Sequence, residues 1–195
     1  MGQLLIVNGN VNREVSRTNR LTKELAGLLM ETGKYDRQEE LILEDEPLQA
    51  LNSERLNRRT GLIEKGKYDN EIFRYARQFK QADCIVISAP YWDFVFPALL
   101  RIYIEAVSVV GLTYYYGSDC RPHGLCRAKK LYYVTTCGGY VGGCNYGYEI
   151  VKSMAGMFGI GSTECILAEG LDIDTNDVEA ILERTAGEIR DRLKL

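Results

Sequence analysis

Several chemistries are missing from this sequence of 195 residues. No apolar run approaches the ~20 residues that a membrane span requires, so no membrane partner is expected. The chain carries 24 lysines and arginines against 27 aspartates and glutamates, a net charge of −3. That balance lacks the basic excess of a nucleic-acid or anionic-membrane binder. The opening residues Met-Gly-Gln-Leu-Leu-Ile-Val-Asn have an apolar core of four residues and no basic flank, unlike a signal peptide. A cytoplasmic protein is the expectation. Six cysteines are present (84, 120, 126, 137, 144 and 165), but no Cys-x-x-Cys pair. A zinc site is not expected, and reduced thiols are the default. None of the six has an arginine six positions on, so the Cys-x5-Arg pattern of a phosphatase is absent. Neither a Walker loop nor a Rossmann glycine fingerprint occurs, which leaves triphosphate and Rossmann-type dinucleotide binding without support. The only histidine, His123, falls in a stretch read as a loop over 117–127. A surface-loop role is the commoner reading there, against a catalytic one.

What is present is ordinary for one domain with a substantial core: 46% hydrophobic and 26% charged residues. The reading centres on residues 83–97, Asp-Cys-Ile-Val-Ile-Ser-Ala-Pro-Tyr-Trp-Asp-Phe-Val-Phe-Pro. Cys84 to Ser88 is a continuous apolar run, as in a parallel strand buried on both faces. Pro90 ends it, because proline has no N–H to donate. Pro97 suits the first position of a following helix. Strands are expected at 3–8, 36–43 (edge-like), 84–88, 130–136 and 163–168. Helices are expected at 18–32 (with Leu21, Leu25, Leu28 and Leu29 on one face), 67–81, 97–110, 148–158 and 175–192. Residues 44–66 read as loop with a short helix near 52–65, and 113–116 as a short extended piece. The 97–110 helix looks apolar on two faces, which fits either a buried central helix or a subunit interface. The β-α-β alternation implies one α/β domain over 1–195. It is a doubly wound, five-stranded parallel sheet of order 2-1-3-4-5 with helices on both faces.

Three loops follow strands one, three and four, which places them on one rim of that sheet. The first holds Asn10, Ser16, Arg17 and Thr18 where a helix begins. Free N–H groups and partial positive charge there suit a phosphate; helix capping by Ser16 is the plainer alternative. The second is Tyr91, Trp92, Asp93 and Phe94, a platform for a flat cofactor or an exposed cluster for oligomerisation. The third is Thr136, Cys137, Gly138 and Gly139, where glycines let N–H groups approach an anionic edge; a mobile turn is the alternative. Together they describe a phosphorylated, flat, electron-accepting ring, and FMN fits.

These segments resemble the FMN-dependent NADH:quinone oxidoreductase and azoreductase family, which has a flavodoxin-like fold. Ser-Ala-Pro-Tyr-Trp-Asp-Phe (88–94) is similar to its Ala-Pro-Met-Tyr-Asn-Phe loop. Thr136-Cys137-Gly138-Gly139 is similar to its Ser-Arg-Gly-Gly loop. Ser16-Arg17-Thr18 is similar to its Ser-x-Ser loop, with Asn10 at a flavin-contacting position. The resemblance implies bound FMN, NADH or NADPH as donor, and a quinone, azo or nitro aromatic acceptor. It also implies a homodimer with a flavin near each boundary, with Tyr116 lining the substrate pocket across it. Asp93, Trp92 and Cys137 stand where the family has Asn, Tyr and Arg, and a carboxylate at 93 is expected to lower the flavin potential. Cys137 reads either as a redox thiol or as a small residue tolerated at a turn. The other function considered is a flavodoxin-type electron carrier without NAD(P)H oxidation.

Overall fold

A computed structural model describes residues 2–193. The terminal residues 1, 194 and 195 of the expected single domain lie outside that range. Five parallel strands form the central sheet: β1 (Gly2–Asn8), β2 (Tyr35–Ile42), β3 (Cys84–Ser88), β6 (Lys130–Thr136) and β7 (Ser162–Ala168). Their order is β2-β1-β3-β6-β7, the expected 2-1-3-4-5 with a small hairpin counted in between. The register aligns Asn8 with Ser88 and Thr136 with Ala168. Strand ends therefore share one rim.

Alternation along the strands divides the core in two. Leu5, Val7, Ile85, Ile87, Leu131 and Tyr133 face one side, where α3 (Arg74–Gln81), α4 (Ala98–Val107) and α5 (Tyr146–Met157) pack. Leu4, Ile6, Cys84, Val86, Tyr132 and Val134 face the other, toward α1 (Arg17–Glu31) and α6 (Val178–Leu193). Leu21, Leu25, Leu28 and Leu29 of α1 are all buried as expected. Burying each leucine stabilises by about 2 kcal/mol, so truncating Leu25, which has no exposed surface, costs about 2–5 kcal/mol. The edge strand β2 presents Asp36, Arg37, Glu39 and Glu40 to solvent, charges that oppose edge-to-edge pairing.

Several boundaries differ from the sequence reading. The helix expected over 67–81 begins only at Arg74, after a 3₁₀ turn at Glu71–Phe73. Arg77 donates to the carbonyls of Tyr68 and Asn70, which fixes 67–70 as a turn instead. The helix expected over 97–110 stops at Val107. The buried Thr113 hydroxyl donates to the Val107 carbonyl and accepts from the Val109 N–H, replacing the next helical turn. Val110 is thus exposed rather than part of the apolar face, and Pro97 precedes the helix instead of opening it. Helix α5 starts at Tyr146, two residues before the expected start at 148, so Gly147 is helical. The His123 stretch is not all loop: β5 (Pro122–Gly124) pairs with β4 (Tyr114–Tyr116) as an antiparallel hairpin. Its base lies so close to α5 that a Cβ on Gly124 would sit 1.9 Å from the Phe158 carbonyl carbon. Helix α2 (Ser53–Glu64) falls where expected, and none of its residues is buried.

Candidate cofactor site at the carboxyl-end rim

The three loops converge on Thr136. Its hydroxyl pairs with Thr18 Oγ1 at 2.6 Å, and its carbonyl accepts from the Tyr91 N–H at 2.9 Å. Both threonines are buried. One residue at the end of β6 therefore ties the start of α1, the aromatic loop and the glycine loop together.

The first loop offers backbone more than side chains. Ser16 caps α1 by accepting from the Asn19 N–H (3.1 Å) and donates to Asn10 Oδ1 (3.2 Å). Arg17 reaches away to the Leu171 carbonyl and to Asp172, both at 2.6 Å. The Thr18 hydroxyl is taken by Thr136. Among the described residues, the N–H groups of Arg17 and Thr18 have no acceptor, as the first turn of a helix requires. Those N–H groups, with the helix dipole behind them, are what an anion would meet.

The aromatic loop turns tightly at Trp92–Val95, with Val95 N–H donating to the Trp92 carbonyl at 2.8 Å. Both central residues are left-handed, Asp93 at φ 49° and Phe94 at φ 69°. For residues other than glycine this costs about 1–2 kcal/mol each, the kind of strain that collects at functional sites. It projects Phe94, which is 71% exposed, and Trp92 outward. The Asp93 carboxylate has no hydrogen-bond or ion-pair partner among the described residues. The Tyr91 hydroxyl is buried without a partner among the described residues. Burial raises its pKa, and the nearby Cys137, Cys144 and Tyr146 add to that.

In the glycine loop, Cys137 is 8% exposed. Burial pushes its thiol pKa up, against an opposing contact from the Gly139 N–H, so the thiol stays protonated at neutral pH and is a poor nucleophile. A Cβ on Gly138 would strike the Asp172 carboxylate at 2.1 Å, whereas one on Gly139 would meet nothing within 4 Å. The N–H groups of both glycines lack a main-chain acceptor among the described residues.

A fourth segment takes part that the sequence reading passed over. Residues 169–172 follow β7 as the other loops follow their strands, and that position was the available signal. Gly170, Leu171 and Asp172 donate to the carbonyls of Gly139, Cys137 and Gly138. Glu169 accepts from the Val141 N–H at 2.9 Å. Two further expectations concern residues away from the loops. His123 stacks on Tyr115 and bonds Asp119 in the hairpin; Tyr116 is 60% exposed there. A cleft of about 490 Å³ between α2 and α4 shares no residue with the loops. No group of metal-ligating side chains occurs among the described residues.

This geometry defines a doubly wound α/β protein with its three candidate loops gathered at the carboxyl ends of its strands. Residues 2–193 match the model of a family with a flavodoxin-like fold. A Clostridium acetobutylicum protein named FMN-dependent NADH:quinone oxidoreductase 2 is 32% identical over 100% of this chain and 99% of its own length. A Lachnoclostridium phytofermentans protein named FMN-dependent NADH:quinone oxidoreductase is 31% identical over 92% of each. The crystal structure of an azoreductase from Bacillus anthracis superposes with a TM-score of 0.83, at 26% identity over 99% of both chains. The chain belongs to the flavodoxin-like family of FMN-dependent NADH:quinone oxidoreductases and azoreductases.

Proposed function

We propose that this protein is an FMN-dependent NADH:quinone oxidoreductase that also reduces azo or nitro aromatic compounds, with two electrons moving as hydride in ping-pong order. The observation that carries the reading is the junction at Thr136, which gathers donor-rich backbone and exposed aromatic faces at one rim. The residues present fit the cofactor. The free N–H groups of Arg17 and Thr18 would hold the phosphate, with Asn10 beside them. Trp92 and Phe94 would flank the ring, with the buried Tyr91 hydroxyl seeking a partner behind them. The open space at Gly139 would admit its polar edge. FMN, when bound, supplies the two-electron redox chemistry. The N–H groups of Gly138 and Gly139 are the donors placed to stabilise negative charge at that edge. The aromatic faces exclude water and stack a planar acceptor. No side chain is assigned a proton-transfer role, and the donor is NADH or NADPH.

A homodimer in the cytoplasm completes the proposal. In support, Leu99, Ile102 and Ala106 of α4 are only half-buried, Leu99 and Ala106 at the margin of the core, while Leu51 and Leu56 are exposed. A second copy covering that face would bury them. The test is steady-state oxidation of NADH with a quinone acceptor by the FMN-loaded protein. Parallel double-reciprocal lines are expected. A protein that binds FMN but does not oxidise NADH or NADPH would instead be a flavodoxin-type carrier.

A further inference from the structure

Beneath the first loop lies a buried amide cell centred on Asn8, a residue the cofactor reading does not use. Asn8 ends β1 and is 1% exposed. Its Nδ2 donates to Asn19 Oδ1 (3.0 Å) and to Glu40 Oε1 (2.7 Å). Its Oδ1 accepts from both the backbone N–H and the Nδ2 of Asn10, at 3.1 and 2.8 Å. All four of its amide hydrogen-bond positions are thus filled. The orientation is fixed as well: a flipped amide would set its oxygen against a carboxylate and a second carbonyl oxygen.

The partners of Asn8 carry the hold to each part of the loop. Asn10 is equally buried and bonds Ser88 Oγ (2.7 Å) and Ser16 (3.2 Å), the N-cap of α1. Asn19 grips the carbonyl of Arg13 in mid-loop at 3.1 Å. Ser88 in turn meets Thr22 Oγ1 at 2.5 Å, and Thr22 donates to the Thr18 carbonyl (2.9 Å). Residues 9–16 contain no regular structure and include Asn12 at φ 55°. Arg13 adds ion pairs to Glu44 and Asp45 on the outer side of the loop, while on the inner side this cell holds the turn and, through Ser16, the direction of the N–H groups that follow at Arg17 and Thr18.

We infer that Asn8 is a positioning residue for the phosphate turn, and that through it the site prefers phosphorylated flavin over the unphosphorylated form. The inference rests on the FMN reading above. Asn8 touches no ligand; it acts through Asn10 and Asn19. Satisfied buried polar networks of this type specify one conformation, and a half-satisfied one does not.

The experiment compares dissociation constants for FMN and riboflavin, by flavin fluorescence quenching, across wild type, Asn8→Ala, Asn8→Asp and Asn8→Asp with Glu40→Gln. Asn8→Ala and Asn8→Asp are expected to weaken FMN at least tenfold and riboflavin less than threefold. Asn8→Asp keeps the acceptor for Asn10 but loses both donors and faces Glu40 with like charge. Adding Glu40→Gln restores a donor across that contact, so most of the FMN affinity should return. If Asn8→Ala does not fold, the Asn8→Asp pair decides the matter alone. Equal losses for FMN and riboflavin, unchanged FMN affinity, or no recovery with Glu40→Gln would each overturn the inference. A wild-type protein that binds neither flavin would overturn the FMN reading itself, and this inference with it.

Discussion

Gly139 separates folding from ligand binding. A Cβ at this exposed position meets nothing within 4 Å, and the backbone there is not left-handed. Gly139→Leu should therefore change folding stability by no more than about 0.5 kcal/mol, as at an open surface site. The same space is where the proposed site would seat the polar edge of the ring. A leucine projecting into it must displace the ring or compress it, at about 1–3 kcal/mol for overpacking. At 1.4 kcal/mol per factor of ten, that is about a 5- to 150-fold rise in the FMN dissociation constant. The assay is titration of flavin-free protein by FMN fluorescence quenching, beside a thermal melt of the same sample. A Gly139→Leu protein with wild-type Tm and wild-type FMN affinity would remove the glycine loop from the site. One with a markedly lower Tm would show that the loop itself needs the glycine. Gly138→Ala should behave in the opposite way, lowering Tm because its methyl group meets Asp172 at 2.1 Å.

Three other outcomes are expected. Asp93→Asn should raise the midpoint potential of bound FMN by on the order of 20 mV, measured by dye equilibration. A unit charge at ~4 Å in water is worth about 1 kcal/mol, spread over a two-electron couple; a fall in potential would contradict this. Cys137→Ser should keep NADH oxidation within about twofold of wild type, since a buried, protonated thiol is no nucleophile; a collapse in turnover would make it a redox group. Phe94→Gly should raise the Tm of flavin-free protein by a few degrees, as release of left-handed strain of about 1–2 kcal/mol exceeds glycine's entropy cost of about 0.5–1 kcal/mol. The same variant should bind FMN less tightly; a lower Tm would mean the turn is not strained.

Much of the sheet was legible because buried strands advertise themselves. β3 and β6 fall on the residues read from their apolar runs, since parallel strands covered on both sides leave little room for polar residues. The helix ends were less legible. Val110 is apolar and continues the α4 periodicity, but the end is set by Thr113 from farther along the chain. Local pattern does not contain such a cap. The β4–β5 hairpin was hidden because Pro122 and Gly124 are poor strand formers. The loops were found from their position after strands, yet side-chain roles within them were not. Spacing marks Ser16, Arg17 and Thr18 but does not say that their side chains are taken up by Asn10, Asp172 and Thr136. The partners lie six to 155 residues away in sequence. Asn8 was missed for the same reason: one asparagine closing an apolar strand reads as a strand end, and its four bonds exist only in the folded cell.

The central claim is that three loops gathered at Thr136 hold FMN for hydride exchange with NADH and a quinone. Its most direct test is an anaerobic absorbance titration of the FMN-reconstituted protein. The flavin band near ~450 nm should bleach with about one equivalent of NADH per bound flavin and return with about one equivalent of quinone. A protein that retains no FMN, or a flavin band that NADH and NADPH leave unchanged, would contradict the account.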